Sequence, residues 1–244
     1  MSLTGPVEDY LKAIYEIEQD GNAAATTTIA QRLSIAPASV SGMLRRLAEQ
    51  HFVEHEPYHG VRLTPLGRRA ALRTLRRHRV LEAYLTGALG YPWDRVHEEA
   101  ERLEHAASDE LVDRMAAAIG EPAVDPHGAP IPTREGRVDE SRHRSLADLA
   151  LDETAVVSRV SDEDGEMLRY LATLGLRPGV SVCLLRLAPF GGPLTVSVDG
   201  REQSVGPALA AQVRIVSGPE HARARSAPVA RTTPPRGSRR TRGA

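Results

Sequence analysis

The chain of 244 residues contains a single cysteine, Cys183. One thiol makes neither an intramolecular disulfide nor a thiolate zinc site, so a reducing cytoplasm is the expected compartment. Aromatic residues are scarce, at 4% of the chain, and the lone Trp93 reads as a packing anchor. No apolar run reaches the roughly 18–20 residues of a membrane span, so no membrane partner is expected. Met1 to Glu8 lacks the basic stretch followed by an apolar one that marks a secretion signal. The formal charge of −1 excludes a uniformly basic DNA-coating protein.

What the chain does have is charge sorted along its length. From Arg45 to Arg79 there are nine arginines and three acids, and from Asp94 to Glu121 nine acids and three arginines. A basic block beside an acidic one points to an anionic partner at one place and a cation at the other. From Pro219 onward there are seven arginines and one acid among Pro, Ser and Thr. That composition predicts a disordered tail over 218–244, which either adds nonspecific DNA affinity or stays idle.

Periodicity places the elements. VEDYLKAIYEIE (7–18) sets its apolar residues along one helical stripe. TTTIAQRL (26–33) reads as a short helix with threonine available as a cap. SIAP breaks it, and ASVSGMLRRLAEQ (38–50) follows as a second helix. Residues 51–65 read as a β-hairpin around Tyr58-His59-Gly60. Thr64-Pro65 then opens a long Arg-rich helix up to Leu89-Gly90. Asp94 to Ile119 reads as one further helix, and the Pro/Gly-rich stretch to Gly136 as an irregular connection. TAVVSRV, VSVCLLRLA, PLTVSVD and QVRIV predict a small β domain with one helix near 164–174, barrel-like in its strand count. Cys183 falls in one of these strands and reads as core.

Two helices, a tight turn and a hairpin make a winged helix-turn-helix. A helix entering a major groove needs short side chains at its start, here Ala38, Ser39, Ser41 and Gly42. Arg45 and Arg46 follow one turn later, within reach of phosphates or base edges. Thr27 on the preceding helix, with Tyr58, His59 and Arg62 on the wing, completes the expected DNA-contacting set.

The metal signal lies in the acidic block. His97, Glu101, Glu104 and His105 stand at i, i+4, i+7 and i+8, one face of a helix. His78 and Glu82 share a face of the preceding helix. Six N and O donors converging on one seam are costly to bury unless a cation neutralises them. Donors without sulfur suit Mn²⁺ or Fe²⁺ and accept Co²⁺, Ni²⁺ or Zn²⁺. The other histidines read as bystanders. His51, His55 and His59 flank the wing, and His127, His143 and His221 lack partners at ligand spacing.

These segments, together with GVRLTPLGRRA, RHRVLEAYL, VHEEAERLEHAASDEL and HGAPIP, resemble the diphtheria-toxin-repressor family of iron- and manganese-dependent regulators, from about Val7 to Val216. The resemblance implies a mainly α protein with α+β parts. Its expected units are a winged helix-turn-helix (1–72), a helical metal-binding and dimerisation domain (73–136), a linker (137–153) and an SH3-like β-barrel (154–217), like the small domain of ferrous-iron transport proteins. It implies a primary metal site of Asp9, Glu101, Glu104 and His105. It also implies an ancillary one of His78, Glu82 and His97, completed by Asp164 or Glu166.

The iron branch of the family has Met at Asp9 and Cys at Glu101, and the harder carboxylates here favour Mn²⁺. Lys12 stands where some manganese regulators have a second N-terminal carboxylate, which argues against their two-ion cluster. His97 matches the iron branch, Gly42 replaces a recognition-helix glutamine, and Ala129 replaces a polar residue near the family's bound anion. The expected function is a homodimeric Mn²⁺- or Fe²⁺-dependent repressor of metal-ion homeostasis that binds operator DNA and needs no organic cofactor. Without the cation the acidic cluster would repel itself and loosen the DNA-binding part. The alternatives are a winged-helix regulator answering to an organic ligand, which would bind DNA without metal, and a metal-dependent hydrolase. The second lacks an HExxH pair and an activated nucleophile.

Overall fold

The computed structural model describes residues 3–19, 21, 24–56, 60–162 and 164–218. Helix α1 (Gly5–Gln19) buries Val7, Leu11, Ile14, Tyr15 and Ile17, the stripe expected from its spacing, and packs on α4 (Pro65–Leu89). Helix α2 (Thr26–Arg32) and α3 (Pro37–Glu49) follow across a tight turn. Pro37 starts α3 at a position where its missing N–H is no loss. The threonine cap expected for α2 does not form, since Ala25 takes the N-cap position. Strands β1 (Val53–Glu56) and β2 (Gly60–Leu63) pair antiparallel, Val53 opposite Leu63. Thr64 then ties hairpin to helix. Its hydroxyl donates to the His51 carbonyl at 2.7 Å and accepts from the Gly67 N–H at 3.1 Å, which caps α4.

Helix α4 serves two cores. Its first turns, with Ala71, Leu72 and Leu75, close the N-terminal core. Val80 and Leu81 belong to a second core with Ala100, Val112 and Ala116. Gly90, left-handed at φ 69, ends the helix. The region expected as one helix from Asp94 to Ile119 is two, α5 (Val96–Leu103) and α6 (Asp109–Ala118). The Ser108 hydroxyl accepts from the Leu111 N–H and starts a new helix. Glu104 and His105 therefore sit in a turn rather than on a continuing helical face.

The C-terminal unit is a six-stranded antiparallel sheet ordered β3-β8-β4-β5-β6-β7. Its strands are β3 (Arg144–Ser145), β4 (Thr154–Val160), β5 (Ser181–Leu187), β6 (Leu194–Val198), β7 (Arg201–Val205) and β8 (Val213–Ser217), with helices α7 (Gly165–Thr173) and α8 (Pro207–Ala210). Irregularities at Val157/Arg159 and Leu184/Arg186 bend β4 and β5. Strand β3 and the 3₁₀ turn after it lie in the stretch expected as a linker, and Leu146 there is fully buried in the sheet's core. The polar edge strand β7 leaves no apolar pattern in the sequence, since only Val205 in it is buried.

The loop 121–136 joins this sheet to the helical unit. The Asp125 carboxylate accepts from the backbone N–H groups of His127 (2.8 Å) and Ala129 (2.9 Å). The His127 carbonyl accepts from the Val160 N–H at 2.9 Å. The Trp93 ring stacks on His127 with centroids 5.6 Å apart, and the Arg177 guanidinium lies over that ring at 4.7 Å. The end of β4 is thereby held against α4 and α5.

Candidate functional site

Three ligand-bearing residues meet where α1 faces the α5–α6 turn. One donor atom each from Asp9, Glu104 and His105 lies within 4.8 Å of the others. His105 Nε2 is 2.8 Å from Asp9 Oδ1 and 3.6 Å from Glu104 Oε1. Its Nδ1 is 2.7 Å from Glu8 Oε2, and Glu8 is itself held by Arg77 at 2.6 Å. A carboxylate on Nδ1 keeps the proton there and leaves the Nε2 lone pair for a cation. Asp9 Oδ1 is buried and makes no hydrogen bond of acceptable geometry.

A second group is built on His78 and Glu82 of α4. His78, Glu82, His97 and Asp162 bring donors within 4.8 Å of one another, as do Glu82, Asp125, His127 and Asp162. Glu82 and Asp162 belong to both sets. His127 Nε2 faces the Trp93 carbonyl at 2.7 Å. A carbonyl only accepts, so Nε2 carries the proton and Nδ1 is the nitrogen available as a ligand. That Nδ1, Glu82 Oε2 and Asp125 Oδ2 are buried without hydrogen-bond partners. His127 Nδ1 and Glu82 Oε2 face each other at 3.7 Å, Asp125 Oδ2 has Arg79 Nε at 3.7 Å, and the group, with no sulfur in it, fits a hard divalent cation.

Electrostatics agree with that fit. Burial works against charge on His78, yet Glu82 and the bond to Glu104 outweigh it and raise its pKa to about 10. His127 is likewise raised to about 9 against its burial, chiefly by Glu82. Glu82 is held well below the usual range despite burial, with His78 the main cause. Burial, then Glu82, pushes Asp125 up to about 6. Without metal the carboxylates are balanced by protons on imidazoles, and a cation competes with those protons.

Of the expected ligands, the structure groups Asp9, Glu104 and His105, and separately His78, Glu82 and His97. Glu101 groups with His78 and Glu104 instead of with Asp9. Asp164 and Glu166 stand outside the clusters. The Asp164 carboxylate caps α7, accepting from the Glu166 and Met167 N–H groups, and the Glu166 side chain is 90% exposed. The residue of the C-terminal unit that joins both groups is Asp162, two residues past β4 and 3.9 Å from His97 Nδ1. His127, read from sequence as lacking partners, is the other omission, together with Asp125 and the His105-orienting Glu8. The D-x-H spacing of Asp125 and His127 was the available signal, but in an irregular loop no periodicity shows which way it faces.

The like charges expected to repel are also partly countered within the chain. Lys12 Nζ lies 2.6 Å from Glu101 Oε1 and 2.8 Å from Glu104 Oε1, and Arg77 holds Glu8.

The loop carrying His127 tolerates little change. Gly128 has φ 88, and a Cβ there would lie 2.0 Å from the Ser158 carbonyl oxygen. Gly128→Ala is expected to cost more than about 2 kcal/mol of stability and to weaken metal binding by the His127 group. Thermal denaturation and Mn²⁺ titration of the variant check both.

On α3, Val40, Leu44 and Leu47 are buried while Ala38, Ser39, Ser41, Gly42, Arg45 and Arg46 are exposed. A Cβ on Gly42 would meet nothing within 4 Å. Thr27 on α2 and Arg62 on β2 are exposed too. Tyr58 and His59 lie outside the described residues.

Three family models match the chain: "Iron dependent repressor, N-terminal DNA binding domain" over residues 2–61, "Iron dependent repressor, metal binding and dimerisation domain" over 64–133, and "FeoA domain" over 144–217. The chain is 35% identical to the diphtheria toxin repressor of Corynebacterium jeikeium over 130 residues, 53% of this chain and 54% of that protein. It is 30% identical to the iron-dependent repressor IdeR of Mycobacterium tuberculosis over 212 residues, 82% of this chain and 91% of that one. A solved manganese-dependent transcriptional repressor in complex with manganese is 40% identical and superposes with a TM-score of 0.82, covering 86% of this chain and 99% of its own.

Proposed function

The chain belongs to the iron-dependent repressor family, and we propose from that premise that its two donor clusters are the metal switch of a DNA-binding transcriptional repressor. The family is one of transcriptional regulators and not of enzymes. Relatives named for iron and for manganese dependence carry the dependence over to this chain as Mn²⁺ or Fe²⁺. The sulfur-free donor set favours Mn²⁺. A domain described as serving dimerisation matches 64–133, so the expected form is a homodimer on operator DNA. The proposed units are those expected from sequence, with residues 144–148 assigned to the C-terminal sheet. No helix of the described residues is long and apolar enough to cross a membrane.

The single observation that carries this reading is the meeting of Asp9 with His105 at 2.8 Å. Asp9 belongs to α1, which shares a core with the recognition helix. His105 belongs to the turn between α5 and α6, in the helical unit. A cation bound by Asp9, Glu104 and His105 would supply one positive charge centre shared between the reading head and the dimer body. Glu8 and Arg77 orient His105 for that role, and Glu82, Asp125, His127 and Asp162 would hold a second ion against the C-terminal sheet. With α1 restrained, the two α3 helices of a dimer keep the spacing of successive major-groove turns. Linkage requires DNA to tighten metal binding by the same factor as metal tightens DNA binding.

The test is an anaerobic titration of the metal-free protein with Mn²⁺ and Fe²⁺, read by fluorescence anisotropy on an operator selected from random duplexes. Metal-stimulated binding is expected. Binding that ignores metal and responds to an organic effector would overturn the reading. On the DNA side, Arg45→Ala and Arg46→Ala should each weaken binding. An arginine that contacts phosphate lowers the log–log salt slope by about 1, whereas one that reads a base relaxes sequence preference. Affinities measured across a KCl series separate the two.

A further inference from the structure

We propose that Lys12 is a tethered cation that competes with the divalent ion for the carboxylate oxygens of Glu101 and Glu104 and so sets how much metal the switch requires. The inference rests on the reading that Asp9, Glu104 and His105 take up that ion.

The geometry is specific. Lys12 stands one turn after Asp9 on α1, and its side chain is 10% exposed. Its ammonium touches Glu101 Oε1 at 2.6 Å and Glu104 Oε1 at 2.8 Å. Glu104 is fully buried. The oxygen it offers to Lys12 is also the one 3.6 Å from His105 Nε2, the nitrogen with which it would share an ion. Glu101 Oε1, the other oxygen held by Lys12, is 3.5 Å from His78 Nδ1, a member of the neighbouring donor group. The ammonium therefore occupies the Glu104 oxygen nearest His105 and the Glu101 oxygen nearest His78, where His78, Glu101 and Glu104 form a group of their own beside the Asp9 group.

The physical consequence has two sides. A lysine this buried stays charged only because two carboxylates face it. In metal-free protein it bridges α1 to the α5–α6 region, much as the metal is proposed to do. An incoming dication must share or displace that bridge, and it meets a like charge a few ångströms away in a site of low dielectric. Binding is thereby weaker than the donor set alone would give. The switch threshold moves to higher metal concentration, and the metal-free protein keeps its helices together.

The experiment is Mn²⁺ titration of full-length wild type, Lys12→Met, Lys12→Gln and Asp9→Ala, with free Mn²⁺ read by electron paramagnetic resonance. Thermal unfolding is followed with and without Mn²⁺. Methionine keeps the length of the aliphatic stem without its charge. Glutamine can still donate to Glu101 and guards against a methionine variant that folds poorly. Both are expected to bind the Asp9-dependent ion at least about tenfold tighter than wild type. Both should lose thermal stability only when metal-free. Folded variants that bind this ion no more tightly than wild type would overturn the proposal. If Asp9→Ala titrates like wild type, the placement of the ion at Asp9 fails instead, and the Lys12 proposal falls with it.

Discussion

Asp9→Ala is expected to return operator affinity in saturating Mn²⁺ to its metal-free level, a loss within the roughly 5- to 150-fold span of typical coupling between two sites. Asp9 is the one member of its donor group supplied by α1. Its Oδ1 makes no hydrogen bond of good geometry and its one close charged partner is the part-exposed His105, so thermal stability without metal should fall by no more than about 1 kcal/mol. Anisotropy in the presence and absence of Mn²⁺ gives the coupling directly, and metal-stimulated binding that persists in the variant would remove Asp9 from the switch. Glu104→Ala should abolish coupling too, but it is a less clean test. Glu104 is fully buried between Lys12 and His78, with oxygens 2.8 Å from Lys12 Nζ and 2.6 Å from His78 Nδ1. Removing it leaves a buried ammonium half-paired, a loss of about 3–5 kcal/mol.

The second large effect is expected at His127. His127→Ala should eliminate one bound metal equivalent per protomer, measured by metal analysis after equilibrium dialysis. It should also increase hydrogen exchange along β4, because Asp162 would lose the ion joining it to Glu82 and Asp125. Asp164→Ala is the matched control. It removes the α7 cap, at a cost of about 1 kcal/mol, and should leave metal stoichiometry unchanged. An unaltered stoichiometry in His127→Ala would remove the second site as drawn. The contrast is informative because Asp162 and Asp164 lie two residues apart, yet one faces His97 and His127 while the other accepts backbone N–H groups of α7.

How much was legible beforehand follows from where each residue sits. Val7, Leu11 and Ile14 announce α1, and Val40, Leu44 and Leu47 announce α3, because a one-sided helix writes its buried face into the spacing of its apolar residues. The exposed side of α3 follows by subtraction. His78 and Glu82 at i, i+4 share a face for the same reason. Periodicity misled at Asp94–Ile119. There the acidic face continues through Glu104 and His105, while the backbone turns at the Ser108 cap.

The sequence by itself determined the helix-turn-helix, the hairpin, the β-rich C-terminal unit and the pool of oxygen and nitrogen donors, since each leaves a local pattern of spacing or residue type in the chain. Only the tertiary structure decided which donors share a site. It brought Asp162 and His127 to Glu82, placed Glu8 behind His105, and set Lys12 between Glu101 and Glu104, across separations such as the 92 residues from Lys12 to Glu104. Contacts that distant are fixed by how α1, α4 and the loop 121–136 pack together, and no local pattern along the chain records that packing.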